Sequence, residues 1–403
     1  MPVSHRSALP VVFGLVILSP LAIDVYLPSL PEMVAVFGVD EAAMQFTVSL
    51  FMMVMGIGQL IAGPLSDHYG RRFSALLGTA LYLVGSLLAS ISADMEGLYL
   101  ARVLQALGAA SCSVTAFAWV RDHFDAHESG KWISYMGGMI GCVPTLAPFL
   151  GGILAVLWGW TSSFLFMALV GTLIFIGSLI LIEPGKLKED SVQASSQNNL
   201  KANIREILTN RQFLLYSLTG TLTMAGILGY ATNAPMVAMN LGGLGEFGFA
   251  LLFGFVGIVQ LLASISAPHI ASRIGRRKTI AAGIVLSLLG AVGLVMVPAS
   301  RPLLYFIPSA VGCIGFNIIF GTASGLTLEH FKYCAGLAAS IDGCVRMSGG
   351  GLLVALIKML GFSLFTTAAI TFVLLGLPLF WILSDMQKRN SVQPVSSEFQ
   401  KAA

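Results

Sequence analysis

The stretch Gly63-Pro-Leu-Ser-Asp67-His-Tyr-Gly70-Arg71-Arg72 occurs in this chain in a second, related form. The later form reads Pro268-His-Ile-Ala-Ser272-Arg-Ile-Gly275-Arg276-Arg277-Lys278, and its Gly-Arg-Arg triplet lies 205 residues after the first. Each stretch joins two long apolar runs, and its glycine permits a tight turn that bulkier residues would obstruct. The repeat favours a duplicated unit with equivalent turns in its two halves.

The composition places the chain in a membrane. Of its 403 residues, 56% are hydrophobic and 10% are charged, and the mean hydropathy is +0.86. Soluble domains carry about 25% charged residues and disordered chains carry few apolar ones, so both classes are excluded. The net charge of +3 provides no basic surface for nucleic acid. The five cysteines lie within apolar runs, which indicates packing residues rather than disulfides or a metal site.

A helix that crosses a bilayer needs about 20 mainly apolar residues, and the chain offers twelve such segments. The predicted spans are 8–30, 41–63, 73–93, 97–119, 132–157, 160–183, 212–238, 247–268, 278–297, 301–323, 333–359 and 360–384. Their continuous apolar runs argue against barrel strands, which alternate. We expect the first span to be retained rather than cleaved as a signal peptide, because Asp24, Pro28 and Pro31 follow its core without a cleavage pattern.

The long polar stretch 184–211 divides the spans six and six. We predict an N-terminal six-helix bundle at 1–183, a cytoplasmic linker at 184–211, a C-terminal six-helix bundle at 212–386 and a cytoplasmic tail at 387–403. Within the linker, 200–208 reads either as a short basic helix at the membrane surface or as solvated chain. Parallel repeats related by an axis along the membrane normal are a transporter architecture.

Lysines and arginines are unevenly distributed between the two sides of the predicted bundles. With the N-terminus in the cytoplasm, all but four of the 22 fall on the cytoplasmic side. Arg301 and Lys358 are expected on the outer side, and Arg102 and Arg346 fall within spans. Because cytoplasmic loops of membrane proteins are enriched in Lys and Arg, this bias predicts a multi-pass protein with both termini in the cytoplasm.

Several stretches resemble the major facilitator superfamily. Besides Gly63–Arg72, they are Arg102-Val-Leu-Gln105-Ala-Leu-Gly108-Ala-Ala in the fourth span, Pro144-Thr-Leu-Ala-Pro148-Phe-Leu-Gly151-Gly152 in the fifth, Leu21-Ala-Ile-Asp24-Val-Tyr-Leu-Pro28-Ser-Leu-Pro31 in the first, and Val120-Arg121-Asp122 after the fourth. The fifth-span stretch is similar to the antiporter motif of the superfamily. The first-span stretch is similar to the drug/proton antiporters of the Bcr/CflA (bicyclomycin/chloramphenicol resistance) branch. The sequence departs from these patterns at Ala106 and Ala147, where glycine is usual. In addition, the second-half loop has Ser272 at the position where the first-half loop has Asp67.

The resemblance implies an all-α integral membrane protein with twelve transmembrane helices in two six-helix bundles around a central cavity. It implies proton-coupled efflux of small amphiphilic compounds, as by a multidrug or antibiotic exporter, through alternating access. The residues expected to control that movement are Gly63, Asp67, Gly70, Arg71, Arg72, Pro144, Pro148, Gly151, Gly152, Gly275, Arg276 and Arg277. Expected partners are a small-molecule substrate, protons and the lipid bilayer, with the chain acting as a monomer without a cofactor or metal.

Four charges are predicted inside the membrane: Asp24, Arg102, Asp342 and Arg346. A charge at the bilayer centre costs at least ~2.5–3.5 kcal/mol on insertion scales, so such residues usually mark function. Our hypothesis is that Asp24 and Arg102 form an electrostatic couple that proton binding loosens. Pro20 and Pro28 each remove a backbone hydrogen bond near Asp24, which predicts a break in the first helix at this carboxylate. Alternatively, Asp24 lies close to the outer surface and only caps the broken helix, and Arg102 snorkels outward. Asp342 and Arg346, four residues apart, form either a self-neutralising pair or a second site for protons or substrate.

Candidate residues for substrate contact are Tyr26, Gln105, Asn233 and Asn317, although each could equally link helices. An integral membrane enzyme is the alternative class, but the sequence has no H-E-x-x-H, cysteine-rich metal pattern or G-x-S-x-G motif. Among transporters, the alternatives are export of a siderophore, amino acid or dipeptide, and proton-coupled uptake of a nutrient. The expected location is the bacterial inner membrane.

Overall fold

The computed structural model describes residues 5–183, 202–298, 300–331 and 334–384. Most of the predicted linker (184–201) and all of the predicted tail lie outside these residues. The described chain forms α1 (His5–Asp24), α2 (Leu30–Phe37), α3 (Glu41–Tyr69), α4 (Arg71–Ser90), α5 (Met95–His123), α6 (Ala126–Trp158), α7 (Thr161–Leu181), α8 (202–209), α9 (Arg211–Pro235), α10 (Glu246–Ile274), α11 (Arg276–Val295), α12 (Phe306–Thr327), α13 (Ala335–Met359), α14 (Leu364–Val373) and α15 (379–384).

Twelve segments of the described chain are long and apolar enough to cross a membrane, which confirms the predicted number. The first span consists of α1 and α2, separated by a break at 25–29. The twelfth runs from α14 through a 3-10 turn at Leu374–Gly376 into α15. The seventh continues past α9 into a π-helical turn, Met236–Leu241.

Polar side chains fix where several of these helices begin. Asp40 accepts a hydrogen bond from the backbone N–H of Ala43 at 2.6 Å, one residue before α3. Asp94 does the same for the N–H of Gly97 at 2.8 Å, before α5. Such caps satisfy backbone N–H groups that have no partner within the helix.

Six glycines of the described chain have a positive φ angle, and they lie at equivalent turns of the two halves. The three pairs are Gly38 and Gly243 (63° and 69°), Gly70 and Gly275 (88° and 90°), and Gly159 and Gly361 (75° and 70°). A Cβ atom disfavours this conformation, so the turns depend on glycine. The symmetry supports duplication of a six-helix unit, with α1–α7 in the first half and α9–α15 in the second.

Matching glycines also bring two helices of each half into close contact. In the first half, Gly78 and Gly85 of α4 lie against the backbone of α5. In the second half, Gly283 and Gly290 of α11 lie in the same way against α12. Small residues allow close approach of helix backbones in membranes, and both pairs are 205 residues apart, as the repeated loops are.

The first half meets the second mainly through two helix pairs, α3 with α13 and α6 with α10. We call the end of the molecule that carries Gly70 and Gly275 the loop face, and the end that carries Gly38 and Gly243 the opposite face. The contacts between the halves extend from the opposite face to the middle of the molecule.

Toward the loop face the same helices diverge. In the middle, Ser348 of α13 donates a hydrogen bond to the carbonyl of Met53 in α3 at 2.7 Å, and Gly257 of α10 lies against Thr145 of α6. Nearer the loop face, no described atom lies within 4 Å of a Cβ position at Gly63, Gly137, Gly138 or Gly336. The interface between the halves is therefore open toward the loop face and closed at the opposite face.

The short helix α8 packs on the second half at the loop face. Ile207 has no exposed surface and contacts a cluster that contains Phe213, Phe331 and Ala338. The interpretation of 200–208 as solvated chain is therefore wrong for the described residues, which form a helix with a buried side. Its contact with the membrane surface stays a prediction.

Candidate functional site

Asp24 is the last residue of α1, at the break in the first span. Pro28 lacks the N–H that a continuous helix would direct to the carbonyl of Asp24, and a 3-10 turn at Leu27–Ser29 leads into α2. The Asp24 side chain is buried, and no other described residue forms a hydrogen bond or an ion pair with its carboxylate. Because an unpaired buried charge is costly, this carboxylate is suited to binding a proton.

Arg102 lies fully buried between α5 and the same break. One terminal nitrogen donates hydrogen bonds to the carbonyl of Ala22 at 2.8 Å and to Oε1 of Gln105 at 2.5 Å. The guanidinium carbon lies 4.7 Å from the ring centre of Tyr26 and 4.5 Å from that of Phe51, within range of cation–π attraction. The interpretation that Arg102 snorkels outward is wrong, because its side chain extends to α1 and not to the surface.

Asp24 and Arg102 form no ion pair in this state. Arg102 reaches the first span through Ala22, two residues before Asp24. Its Nε and second terminal nitrogen have no hydrogen-bond partner among the described residues. The arginine thus has free donors and the aspartate free acceptors at the same break. Their predicted coupling by a proton stays a prediction.

The antiporter-like stretch of α6 packs against this break. Gly151 lies so close to the carbonyl of Val25 that a Cβ would overlap the oxygen. The next residue, Gly152, faces Ala250 of α10 in the second half. Two prolines, Pro144 and Pro148, lie within the same helix. One short stretch of α6 therefore contacts both the break in the first span and the other half.

Two of the candidate substrate contacts link helices inside the first half. The hydroxyl of Tyr26 is 2.9 Å from that of Thr47 in α3. Gln105 accepts from Arg102, and its Nε2 donates to Oγ of Ser86 in α4 at 2.8 Å. Neither side chain has exposed surface, so neither is available to a substrate in this state.

The other two candidates link helices of the second half. Nδ2 of Asn233 in α9 donates to the carbonyl of Leu364 at 3.1 Å, and Asn233 is fully buried. Nδ2 of Asn317 in α12 donates to Oε1 of Gln260 in α10 at 3.2 Å. Asn317 is only partly buried. The alternative that these residues join helices is thus realised, and substrate contact stays a prediction.

Asp342 and Arg346 form the intrahelical pair that their spacing indicated. NH1 of Arg346 is 3.5 Å from Oδ2 of Asp342, and both side chains are buried. NH2 of Arg346 donates to the carbonyl of Phe320 at 2.9 Å, and the guanidinium lies over that ring at 4.5 Å. Gly220 of α9 leaves the space that the arginine occupies. The pair therefore ties α13 to α12 within the second half.

At the loop face, Arg71 joins two acidic residues. Its NH1 is 2.7 Å from Oδ1 of Asp67 in α3, and its Nε is 2.7 Å from Oδ2 of Asp122 in α5. Arg71 is mostly buried, whereas 69% of the Asp67 side chain is exposed. Asp122 was not predicted as a partner, although Val120-Arg121-Asp122 is one of the stretches that carry the family resemblance.

The other arginines of the repeated stretches have different surroundings. Arg72 donates to the carbonyl of Leu179 in α7 at 2.7 Å. In the second half, Nε of Arg277 donates to the hydroxyl of Tyr216 in α9 at 3.1 Å, while Arg276 is exposed. The duplicated turn is therefore kept in both halves, but its side-chain network is not.

Lys358, which was predicted on the outer side, lies near the end of α13 at the opposite face, but it is buried between the halves. Its Nζ donates to Oγ1 of Thr232 in α9 at 2.6 Å and to Oε1 of Gln45 in α3. The sequence did not indicate this burial, because Lys358 stands one residue before the end of α13, where hydropathy does not distinguish an exposed from a buried lysine. No sequence pattern indicated its partners.

Comparison with known proteins bears on the family to which this chain belongs. A family model described as Major Facilitator Superfamily matches residues 12–355. The chain is 30% identical over 351 residues to "Multidrug resistance protein MdtL" of Klebsiella pneumoniae (strain 342), covering 87% of this chain and 88% of that protein. It is 32% identical over 352 residues to the protein of the same name from Escherichia coli O157:H7, with the same coverage.

Solved structures share the fold at low sequence identity. A D-xylose-proton symporter superimposes with a TM-score of 0.76 at 16% identity, covering 93% of this chain and 96% of that one. A mutant of the nucleoside transporter NupG does so with a TM-score of 0.70 at 13% identity, covering 94% and 99%. With twelve spans, a repeated loop signature and a family match over most of its length, this chain belongs to the Major Facilitator Superfamily.

Proposed function

We propose that this protein exports small amphiphilic compounds in exchange for protons, by alternating access across a bacterial inner membrane. The observation that carries the proposal is the partnerless buried carboxylate of Asp24 at the helix break that Arg102 also contacts. The names of the multidrug resistance relatives, which match over most of the chain, support drug-like compounds as the substrate class.

The distribution of cations supports the direction of transport. Lysines and arginines are concentrated at the loop face, which makes that face cytoplasmic by the usual bias of membrane proteins. The interface between the halves opens toward the same face, so a compound enters from the cytoplasm. Closure of the loop face and opening of the opposite face then release it outside.

The proton acts through the break in the first span. While Asp24 holds a proton, its carboxyl group is neutral, and Arg102 keeps its hydrogen bonds to Ala22 and Gln105. When the proton leaves, the carboxylate attracts the free donors of the guanidinium, because charge-assisted hydrogen bonds are the strong ones. The break then moves toward α5. Since Gly151 touches the break and Gly152 touches α10, this movement changes the contact between the halves.

Drug accumulation in everted membrane vesicles with an acidic lumen tests the proposal, because export from the cytoplasm appears there as transport into the lumen. We expect wild-type protein to move a fluorescent amphiphilic drug against its gradient, and Asp24→Asn to lose this activity. Glu96→Gln, an exposed acid at the opposite face, is the matched control and should transport normally. Undiminished proton-driven transport by Asp24→Asn, with normal expression, would overturn the role of Asp24. Release of the compound from preloaded vesicles, instead of accumulation, under the same gradient would indicate a nutrient importer.

A further inference from the structure

We propose that Lys358 is a latch that holds the opposite face closed, and that uptake of a proton by its amine releases the latch. The contact joins three helices, with α13 and α9 in the second half and α3 in the first. This contact of Lys358 does not depend on which compound is transported, and it does not require Asp24 to be the coupling carboxylate.

The latch consists of hydrogen bonds among three residues, Lys358, Gln45 and Thr232. Nζ of Lys358 donates to Oε1 of Gln45 and to Oγ1 of Thr232. Nε2 of Gln45 donates to the backbone carbonyl of Thr232 at 2.9 Å. The Thr232 hydroxyl donates to the carbonyl of Leu228 at 2.9 Å, so its oxygen is available as the acceptor for the lysine. Each bond from Gln45 crosses from one half to the other.

The acceptors around Nζ match a neutral amine. A neutral lysine has two N–H donors, whereas an ammonium has three, and two acceptors contact this nitrogen. No carboxylate of the described chain forms an ion pair with it; the nearby acid in α3 is Glu41, one turn before Gln45. Glu41 is itself bonded to Nδ2 of Asn240 at 2.8 Å. An ammonium buried without a paired carboxylate costs far more than a neutral amine.

Opening of the opposite face exposes the buried amine of Lys358 to water. When α3 moves away from α9 and α13, Lys358 loses Gln45 and gains water. The hydrated amine takes a proton from the water on that side, and it must return the proton before the face closes again. Acid at the opposite face therefore favours the open state, and base favours the closed state.

Distance measurements between spin labels at Ile91 and Met296 test this inference on the full chain in lipid nanodiscs. These residues are exposed, lie at the opposite face in different halves, and end equivalent helices. The experiment uses a cysteine-free form that also carries Asp24→Asn, so that failure of the proposed proton site does not affect the result. We expect the long-distance population to grow as pH falls from mildly alkaline to mildly acidic.

Three variants separate the charge from the hydrogen bonds. Lys358→Gln keeps two N–H donors without titrating, so it should stay closed at every pH. Lys358→Met has no donors and should be more open than its parent, with no dependence on pH. Gln45→Leu removes one acceptor and should also favour the open state, which keeps the test valid if Lys358→Met does not fold. Lys131→Gln, an exposed lysine at the loop face, should respond to pH as its parent does.

Two results would overturn the latch. The first is a pH response in Lys358→Gln equal to that of the parent, because the titrating group would then lie elsewhere. The second is a closed population in Lys358→Met and in Gln45→Leu equal to that of the parent, because the hydrogen bonds would then contribute nothing to closure.

Discussion

Gly151 of α6 lies directly against the carbonyl oxygen of Val25, the residue that follows Asp24. The antiporter-like stretch and the break in the first span therefore form one packed unit, although they are far apart in the sequence. This contact explains why a stretch without any titratable side chain belongs to the proposed proton site. It sets the position of the backbone that carries the carboxylate.

Replacement of Gly151 by alanine should lower both the thermal stability and the rate of efflux. The added methyl group overlaps the Val25 carbonyl and forces the break away from α6, and overpacking of this kind costs about 1–3 kcal/mol. Melting temperature in detergent and drug accumulation in everted vesicles measure the two effects. Gly137→Ala, on the same helix but with open space around it, should match wild type. Normal melting and transport by Gly151→Ala would contradict the role of this contact.

Substitution of Arg102 by lysine should reduce proton-driven efflux while leaving the protein folded. A lysine retains the positive charge but lacks the planar guanidinium group. In Arg102 that group donates hydrogen bonds to Ala22 and Gln105 and also lies near the rings of Tyr26 and Phe51. Proton release on addition of a drug to protein in detergent measures the coupling directly. Arg121→Lys, at an exposed position, is the control. Equal proton release by Arg102→Lys and wild type would show that charge alone suffices.

Neutralisation of Asp342 should destabilise the second half. Arg346 would remain buried without its counter-charge, and removal of one partner of a buried pair costs about 3–5 kcal/mol. The double variant Asp342→Leu, Arg346→Leu should recover much of the lost melting temperature and retain transport, since it removes both charges. A double variant that folds but does not transport would show instead that the pair takes part in the transport cycle.

Alanine at Gly70 and at Gly275 should have similar effects on stability. Both residues combine φ near 90° with an extended ψ, 161° and 144° respectively, a region that is essentially limited to glycine and costs other residues about 1–3 kcal/mol. Gly63→Ala adds a methyl group that contacts no neighbouring residue, and it is the control in thermal melting experiments. A large effect at only one of the two sites would show that the halves no longer depend on the same turn.

The architecture was predictable because it depends on short sequence patterns. Twelve apolar runs and a repeated Gly-Arg-Arg turn gave the number of spans, and proline spacing around Asp24 indicated the break in the first span. The spacing of Asp342 and Arg346 indicated their ion pair. Each of these features depends on residues that are close together in the sequence.

The interior contacts were not predictable, because they depend on how distant helices meet. Gln105 and Asn233 looked like cavity residues, yet both are buried among neighbouring helices. Lys358 looked like an exposed residue at a helix end, yet it contacts Gln45 and Thr232 and is buried at a meeting point of three helices. Asp122 stood in a conspicuous stretch, but its partner Arg71 is separated from it by two helices of chain.

The burial of Lys358 also changes the surface charge of the folded protein. Among the lysines and arginines of the described chain, Arg301 is the one left exposed on the opposite face. Exposed lysines and arginines near a membrane surface attract anionic lipid headgroups. The folded protein therefore offers such headgroups one exposed cation at the opposite face and many at the loop face.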